Sequence, residues 1–367
     1  MTLRAMGPYN GILPEPTGML VAFMQDPSNM PYLNYVQMVP APEVVFSYFK
    51  MDNDDPTRLA RLNDYAWAYD DYRPTGKGFQ VRGEMIDVRV QRWDFPYTLG
   101  ETTRRTWSKG MGIDPKSYYD TIRAGHAALH RAVRCVTALT GASWGNNTGD
   151  VQSLLGGADD LFFDESSGQE KLASGLTNPN FQVIKKTFQR VKRRIHLSTN
   201  AKLSGDELVA VLPPKVAEAI AASGEMVEFL KQSPFAKELT DPNLVDWNLP
   251  KYYGGFRLLV EDTPRCFINQ QADGTVADVT VASEKDYILA DDSIFFVSRP
   301  GGLTGIAGTR SFSTVQCWHF GGEARVEAFS EPKHDLTEGH IVMEDKVITP
   351  ALVSGFALTN VLSADYT

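Results

Sequence analysis

Cysteine is scarce in this chain. Only Cys135, Cys266 and Cys317 occur in 367 residues. A sparse, odd set excludes a disulfide framework and fits a reducing compartment. There is no CxxC pair and no HExxH, so the usual zinc spacings are absent. The glycine-rich run Ser298-Arg299-Pro300-Gly301-Gly302-Leu303-Thr304-Gly305 lacks the GK[ST] ending of a phosphate-binding loop and reads as a long surface turn. No stretch approaches the ~18 apolar residues of a membrane helix. The N-terminal MTLRAMGPYNGILPEP has no uninterrupted apolar run for a signal peptide. There is no internal repeat and no low-complexity tract. Positive charge is in deficit, with 36 Lys and Arg against 45 Asp and Glu and a net charge of −9. The molecule as a whole is therefore not drawn to a phosphate backbone. These absences leave a soluble chain made in a cytoplasm, with no membrane, metal or cofactor expected.

What is present is an order of regions. Residues 1–42 hold seven of the 21 prolines, Pro8, Pro14, Pro16, Pro27, Pro31, Pro40 and Pro42. Proline fixes φ and lacks a donor, so the segment is neither helix nor central strand. It also carries Ile12, Leu13, Met19, Leu20, Val21, Phe23, Tyr32 and Tyr35. An extended arm this apolar needs a surface, its own body or a neighbour's, to lie on. Around a Gly76-Lys77-Gly78 tip, Phe79 and Val81 start one alternating pattern, and Ile86, Val88 and Val90 another with Asp87, Arg89 and Gln91. That is the period of half-exposed strands, and a projecting hairpin needs a partner surface.

A helix is expected from Asp114, as N-cap, to Thr140, with Pro115 in its first position and Gly141 ending it. Tyr118, Ile122, Leu129, Val133, Val136 and Leu139 form its apolar stripe, with Lys116, Asp120, Arg123, His130, Arg131 and Arg134 mostly off it. At ~1.5 Å per residue it is a rod of roughly 40 Å. After a turn-rich stretch, a second helix is expected from Asn178 to His196. Phe181, Ile184, Phe188, Val191 and Ile195 lie on one face and Lys185 to Arg194 load the others. From Gly205 short strands and helices alternate, and the apolar run 350–362 reads as a C-terminal strand.

Candidate chemistry is thin. Cys317 and His319 would share a strand face, but four zinc ligands would require Cys266, His334 and His340 to converge by tertiary accident. Cys135 sits inside the long helix and reads as packing. The basic face Lys185–Arg194 reads as solvated or as a partner for carboxylates, since no aromatic interleaves for base stacking.

The stretches YDDYRPTGKGFQVRGEMIDVRVQRWDFPYTLGE, DPKSYYDTIRAGHAALHRAVRCVTALTG, GDELVAVLPPKVAEAIAASGEMVEFLKQSP with GGFRLLVEDTP, DDSIFFVSRPGG and VITPALVSGFALTNVL, in that order, resemble the major capsid proteins of tailed bacteriophages, the Hong Kong ninety-seven-like fold shared with encapsulins. The resemblance implies an α+β chain. It assigns an N-terminal arm (1–65), an E-loop hairpin (66–110), a peripheral domain with spine and basic helices (111–204), an axial α/β domain (205–330) and return strands (331–367). It implies a virion shell subunit, not an enzyme, forming homo-pentamers and homo-hexamers of an icosahedral head assembled in the host cytoplasm around packaged double-stranded DNA. That DNA is held non-specifically, against a largely acidic wall. Scaffolding, portal and decoration proteins are the further partners. Because the chain begins at Met1 with nothing helical and charged before the arm, a separate scaffold is expected. Lys77, Phe79, Val81, Ile12, Leu13 and Phe23 are the expected assembly contacts, and the arm 1–42 is expected to be dispensable for folding. Some members weld an E-loop lysine to a neighbour's asparagine with help from a Glu. Lys77 and Asn360 occupy matching places, and no Glu is assigned by spacing. An encapsulin-type compartment has the same fold. A cytosolic α/β enzyme using Cys317 and His319 is the reading from a different class.

Overall fold

Strand-forming residues recur from one end of the chain to the other and build two main sheets that the chain visits alternately. The computed structural model describes residues 11–12, 30–51, 83–110, 115–155, 162–163, 182–199, 207–232, 247, 249–266, 285–289, 291–299, 313–331 and 336–363. The first strands are β1 (Gly11–Ile12), β2 (Gln37–Pro40), β3 (Val45–Met51), β4 (Gly83–Arg89), β5 (Gln91–Gly100) and β6 (Thr148–Asp150). Next come β7 (Leu208–Leu212), β8 (Tyr252–Tyr253), β9 (Phe256–Val260), β10 (Pro264–Cys266) and β11 (Lys285–Tyr287). The last are β12 (Ile294–Ser298), β13 (Gln316–His319), β14 (Arg325–Glu331), β15 (Leu336–Ile348) and β16 (Phe356–Thr359). The helices are α1 (Glu101–Gly110), α2 (Pro115–Thr140), α3 (Val151–Leu155), α4 (Val183–Thr199), α5 (Pro214–Ala222) and α6 (Gly224–Gln232). Two compact units result. One is drawn from Met1–Ser47, Asp87–Ala138 and Gln316–Ile348, the other from Tyr48–Ile86, Leu139–Val315 and Thr349–Thr367.

In the first unit the 13-residue β15 is the central strand. One flank pairs with β5 from Leu336↔Gly100 to Asp345↔Gln91. The other flank pairs with β14 up to Val342 and then, from Asp345 on, with β13. β2 adds in parallel to β13, and β1 pairs antiparallel with β14. Residues 30–40 thus build the body rather than an arm. Tyr32, Tyr35 and Val36 are fully buried, and Met30, Leu33 and Val39 nearly so. The proline pattern that suggested an extended arm is met differently. Pro31 starts a 3-10 turn and Pro40 ends a strand, both places where a missing donor is tolerated. Deleting residues 1–42 would therefore remove core.

In the second unit the sheet order is β6-β16-β12-β7-β9-β8. The β8–β9 hairpin turns on Gly254 and Gly255, at φ 60° and 93°. A Cβ on Gly254 would lie 2.5 Å from the Phe188 side chain, so the turn needs glycine for both shape and space. Leu208, Ala210, Leu212, Phe256, Phe296, Phe356 and Leu358 share a core with the inner side chains of α4 and α5. The run 350–362 is not one strand. A 3-10 turn at Leu352–Ser354 precedes β16, and Gly355 between them passes so close to the Phe296 carbonyl that a Cβ would sit 2.7 Å from it.

Helix α4 begins at Val183, not Asn178. Its cap comes from another element. Glu225, 4% exposed, accepts hydrogen bonds from the amides of Ile184 and Lys185 at 3.0 and 2.8 Å and from the Tyr253 hydroxyl. A carboxylate there satisfies orphan donors and complements the helix dipole. Asn178, Pro179 and Phe181 lie outside the described residues.

Two predictions follow from this packing. Tyr35→Ala should cost roughly 3–5 kcal/mol, as for other emptied aromatic core sites, in urea denaturation. A cost under about 1 kcal/mol, as at a surface site, would show that residues 30–40 lie loose. Glu225→Ala strands buried amides and should cost roughly 1–3 kcal/mol, with faster amide exchange at Ile184 and Lys185. Unchanged exchange there would contradict the remote cap.

Candidate assembly surfaces

Helix α2 keeps the expected period but rotates its phase. The buried face is Ala124, Ala127, Ala128, Arg131, Ala132, Cys135, Val136 and Leu139, so the last two members of the expected stripe are buried as read. Tyr118 and Ile122 are 48% and 38% exposed, and Leu129 and Val133 are half-buried. Small side chains let the helix lie close to its sheet. Of the bulkier stripe that dominates a hydrophobicity reading, Tyr118 and Ile122 are left outward. Asp114 lies outside the described residues.

At the centre of the buried face is a charge. Arg131, fully buried, donates from Nε to Asp345 Oδ2 at 2.8 Å and from Nη2 to the Glu323 carbonyl at 2.5 Å. Arg134 binds the same carboxylate and stacks over Trp93, 4.5 Å from its ring centre. Asp345 sits on β15 where its two flanking pairings overlap, opposite both Gln91 and His319. Burial alone would raise its pKa; the attraction and hydrogen bonds of Arg131 and Arg134 outweigh that and hold it below the ordinary carboxylate value. His130, tilted against Trp93 and edge-on to Phe95, is pushed down by burial and then by Arg134. Burial also lowers His319.

Cys317 does share a strand with His319, but its thiol is fully buried and pushed up to about 12 by desolvation. Burial likewise raises Cys135 well above the usual thiol value. Both thiols stay protonated at neutral pH, so the enzyme reading loses its nucleophile. No group of three His, Cys, Asp or Glu among the described residues is placed to hold a metal. His340 instead faces the Asp94 carboxylate at 3.0 Å.

Of the expected contacts, only Ile12 and Asn360 are described. Ile12 lies opposite Glu327 in the β1–β14 pair. Asn360 follows β16, exposed and at φ 53°. Leu13, Phe23, Lys77, Phe79 and Val81 lie outside the described residues. The alternation at 86–90 is as read, with Val88 and Val90 buried and Asp87 and Arg89 exposed. The partner of β4 is nonetheless β3, upstream of where the sequence placed the hairpin. Ser47 bonds Asp87 across this two-stranded ribbon at 2.5 Å. Val44, Val45 and Met85, on and beside it, are 40%, 56% and 62% exposed. Sequence reasoning missed these three because each stands in a short run that reads as ordinary strand. It missed Asp345 although the strand period sets it in phase with buried Ile341 and Met343.

Removing the carboxylate leaves two guanidinium groups facing each other in a closed site. Asp345→Ala should cost roughly 3–5 kcal/mol. The pH response follows from the signs. His130 and His319 bind protons less readily folded than at their ordinary 6.5, so stability falls as pH drops through that value. Asp345, lowered from 3.8, adds a further loss below that. Thermal midpoints measured from neutral pH downward should decline, and a rise on acidification would contradict the assignment.

No protein family and no curated protein matches the sequence. Solved structures do. The chain is similar to a phage-related protein from Bordetella bronchiseptica RB50, at 10% identity and a TM-score of 0.57, covering 96% of this chain and 98% of that one. It is similar to the holo-SrpI encapsulin complex from Synechococcus elongatus PCC 7942, at 7% identity and a TM-score of 0.50, covering 92% and 89%. The capsid of cyanophage P-SCSP1u aligns over 99% and 91% at 8% identity, with a TM-score of 0.49. The first two likenesses run nearly end to end in both partners, and what they share with this chain is architecture: it has the α+β, Hong Kong ninety-seven-like capsid fold.

Proposed function

We propose that this chain is the major shell subunit of a tailed-phage head, closing as pentamers and hexamers into an icosahedral container for packaged double-stranded DNA. The carrying observation is the end-to-end sharing of one fold with a phage-related protein and an encapsulin. The ribbon β3–β4 supports it, because a two-stranded ribbon with exposed Val45 and Met85 is marginal alone and gains from a neighbour's surface. In this reading the unit holding α2 is the peripheral domain and the other is the axial domain. Helix α4 shares the axial core, so it belongs there rather than with the spine. The role is mechanical, not enzymatic: arm and hairpin lie over neighbours, and interfaces above ~2,000 Å² in total add through multivalency. Scaffolding, portal and decoration proteins complete the virion, which assembles in the host cytoplasm.

The encapsulin likeness favours one second reading, an enzyme-loading compartment. Purified particles that hold a protein cargo and no genome would select it.

Sedimentation velocity tests the assembly. The full chain should run as closed particles far above its 40.7 kDa mass. Removal of residues 1–29, or Val45→Asp with Met85→Asp, should leave a folded subunit that no longer forms them. Normal assembly by either variant would remove the arm or the ribbon from the interface. Boiled particles should give a single monomer band on a denaturing gel; a ladder of multimers would instead signal a covalent link, with Lys77 and Asn360 as the pair to test.

A further inference from the structure

Helix α4 concentrates positive charge in a chain that is otherwise acidic. Its 17 residues hold Lys185, Lys186, Arg190, Lys192, Arg193 and Arg194 and no acidic side chain. Thirty Lys and Arg are then left against 45 Asp and Glu elsewhere. At 100° per residue, Lys186, Arg190 and Arg193 form one outward row, opposite buried Ile184, Phe188, Val191 and Ile195. Arg190, Arg193 and Arg194 are exposed and Lys186 is half-exposed. The Arg190 guanidinium donates to the Leu154 carbonyl, and Arg194 lies 5.6 Å from the Phe356 ring. Among the described residues no carboxylate pairs with Lys185, Lys192, Arg193 or Arg194. Like charges four apart, such as Lys186 and Arg190, weaken a helix by a few tenths of a kcal/mol each. Here the apolar inner face and the Glu225 cap hold the helix in spite of that repulsion.

The complementary surface is a row of anions. The described carboxylates form no such row: exposed Glu43, Glu84, Glu218, Glu228 and Asp262 stand on separate elements, and several others are already engaged. Asp87 accepts from Ser47, Asp94 faces His340, Asp291 pairs with Lys215, and Glu327 and Glu344 share Arg325. No described helix carries three acidic side chains. A nucleic-acid strand offers what they do not, a negative charge every ~3.4 Å. The row from Lys186 to Arg193 spans roughly 10 Å at 1.5 Å per residue, and arginine forks suit phosphate oxygens.

We propose that the outward face of α4 is the chain's contact surface for the phosphate backbone of double-stranded DNA, with Lys186, Arg190 and Arg193 in the row and Arg194 at its edge. The proposal rests on the shell reading, which supplies the enclosed DNA. It assigns that contact to one helix of a chain whose net charge opposes it.

The test is binding of the full chain to a short labelled duplex, followed by fluorescence anisotropy between about 50 and 200 mM salt. The variant Lys186→Gln with Arg193→Gln removes two phosphate contacts. It should lower the slope of log affinity against log salt by about 2, so that affinity lost across that range shrinks about tenfold. The charge-keeping Lys186→Arg with Arg193→Lys should retain the wild-type slope, which separates charge from folding. An unchanged slope in the glutamine variant overturns the proposal. So does a glutamine variant that stops assembling in sedimentation yet keeps the slope, because the face then meets another copy of the chain. A wild-type chain that forms no particles but shows the slope difference would sink the shell reading and leave the DNA surface standing.

Discussion

A carboxylate shut away from water needs positive charge beside it, and Asp345 has two guanidinium groups. Its position is special in the sheet. It lies where β15 changes partners, with β5 on one side and β13 on the other. Arg131 and Arg134 come from successive turns of one face of α2. Helix and sheet are thereby fixed to each other in phase as well as in place. Buried ion pairs contribute little net stability compared with apolar replacements of equal volume, and their best-attested use is to specify one arrangement among several. Helix α2 has such alternatives. It carries a small-residue stripe around Ala124, Ala128 and Ala132 and a bulkier one through Tyr118, Ile122, Leu129 and Val133. Burial of area alone favours the second. Turning the bulkier stripe inward would carry Arg131 away from Asp345 and leave a charge unpaired.

That choice explains which parts of the fold were legible. Helix existence, length and the Gly141 stop were readable because periodicity and capping are local. Its phase was legible only at Val136 and Leu139, because hydrophobicity scales rank alanine below tyrosine and isoleucine, and the deciding partner lies 211–214 residues away. The start of α4 failed for the same reason, since Glu225 caps it from another helix. Strands β7, β9 and β12 were readable as continuous apolar runs between turns, the pattern of strands covered on both faces. The proline-rich N-terminus misled in part. Pro31 and Pro40 stand at the start of a 3-10 turn and the end of an edge strand, and Tyr32 and Tyr35 had enough apolar surface to be claimed by the body. Of the candidate site, the hairpin's alternation was legible while its partner strand was not, because pairing across more than thirty residues leaves no local trace.

The chemistry-bearing residues point the same way as the architecture. Cys135, Cys317, His130 and His319 are spent on packing at α2 and the sheet under it, where burial raises the thiols and lowers the imidazoles. Exposed features are of another kind. They are a ribbon with apolar side chains in water and a helix with one basic face.

Electron microscopy of the purified full chain tests that account most directly. Closed, icosahedral shells of uniform diameter, built from six-fold and five-fold clusters, are the predicted image. A field of single 40.7 kDa particles, persisting at high protein concentration, would contradict it.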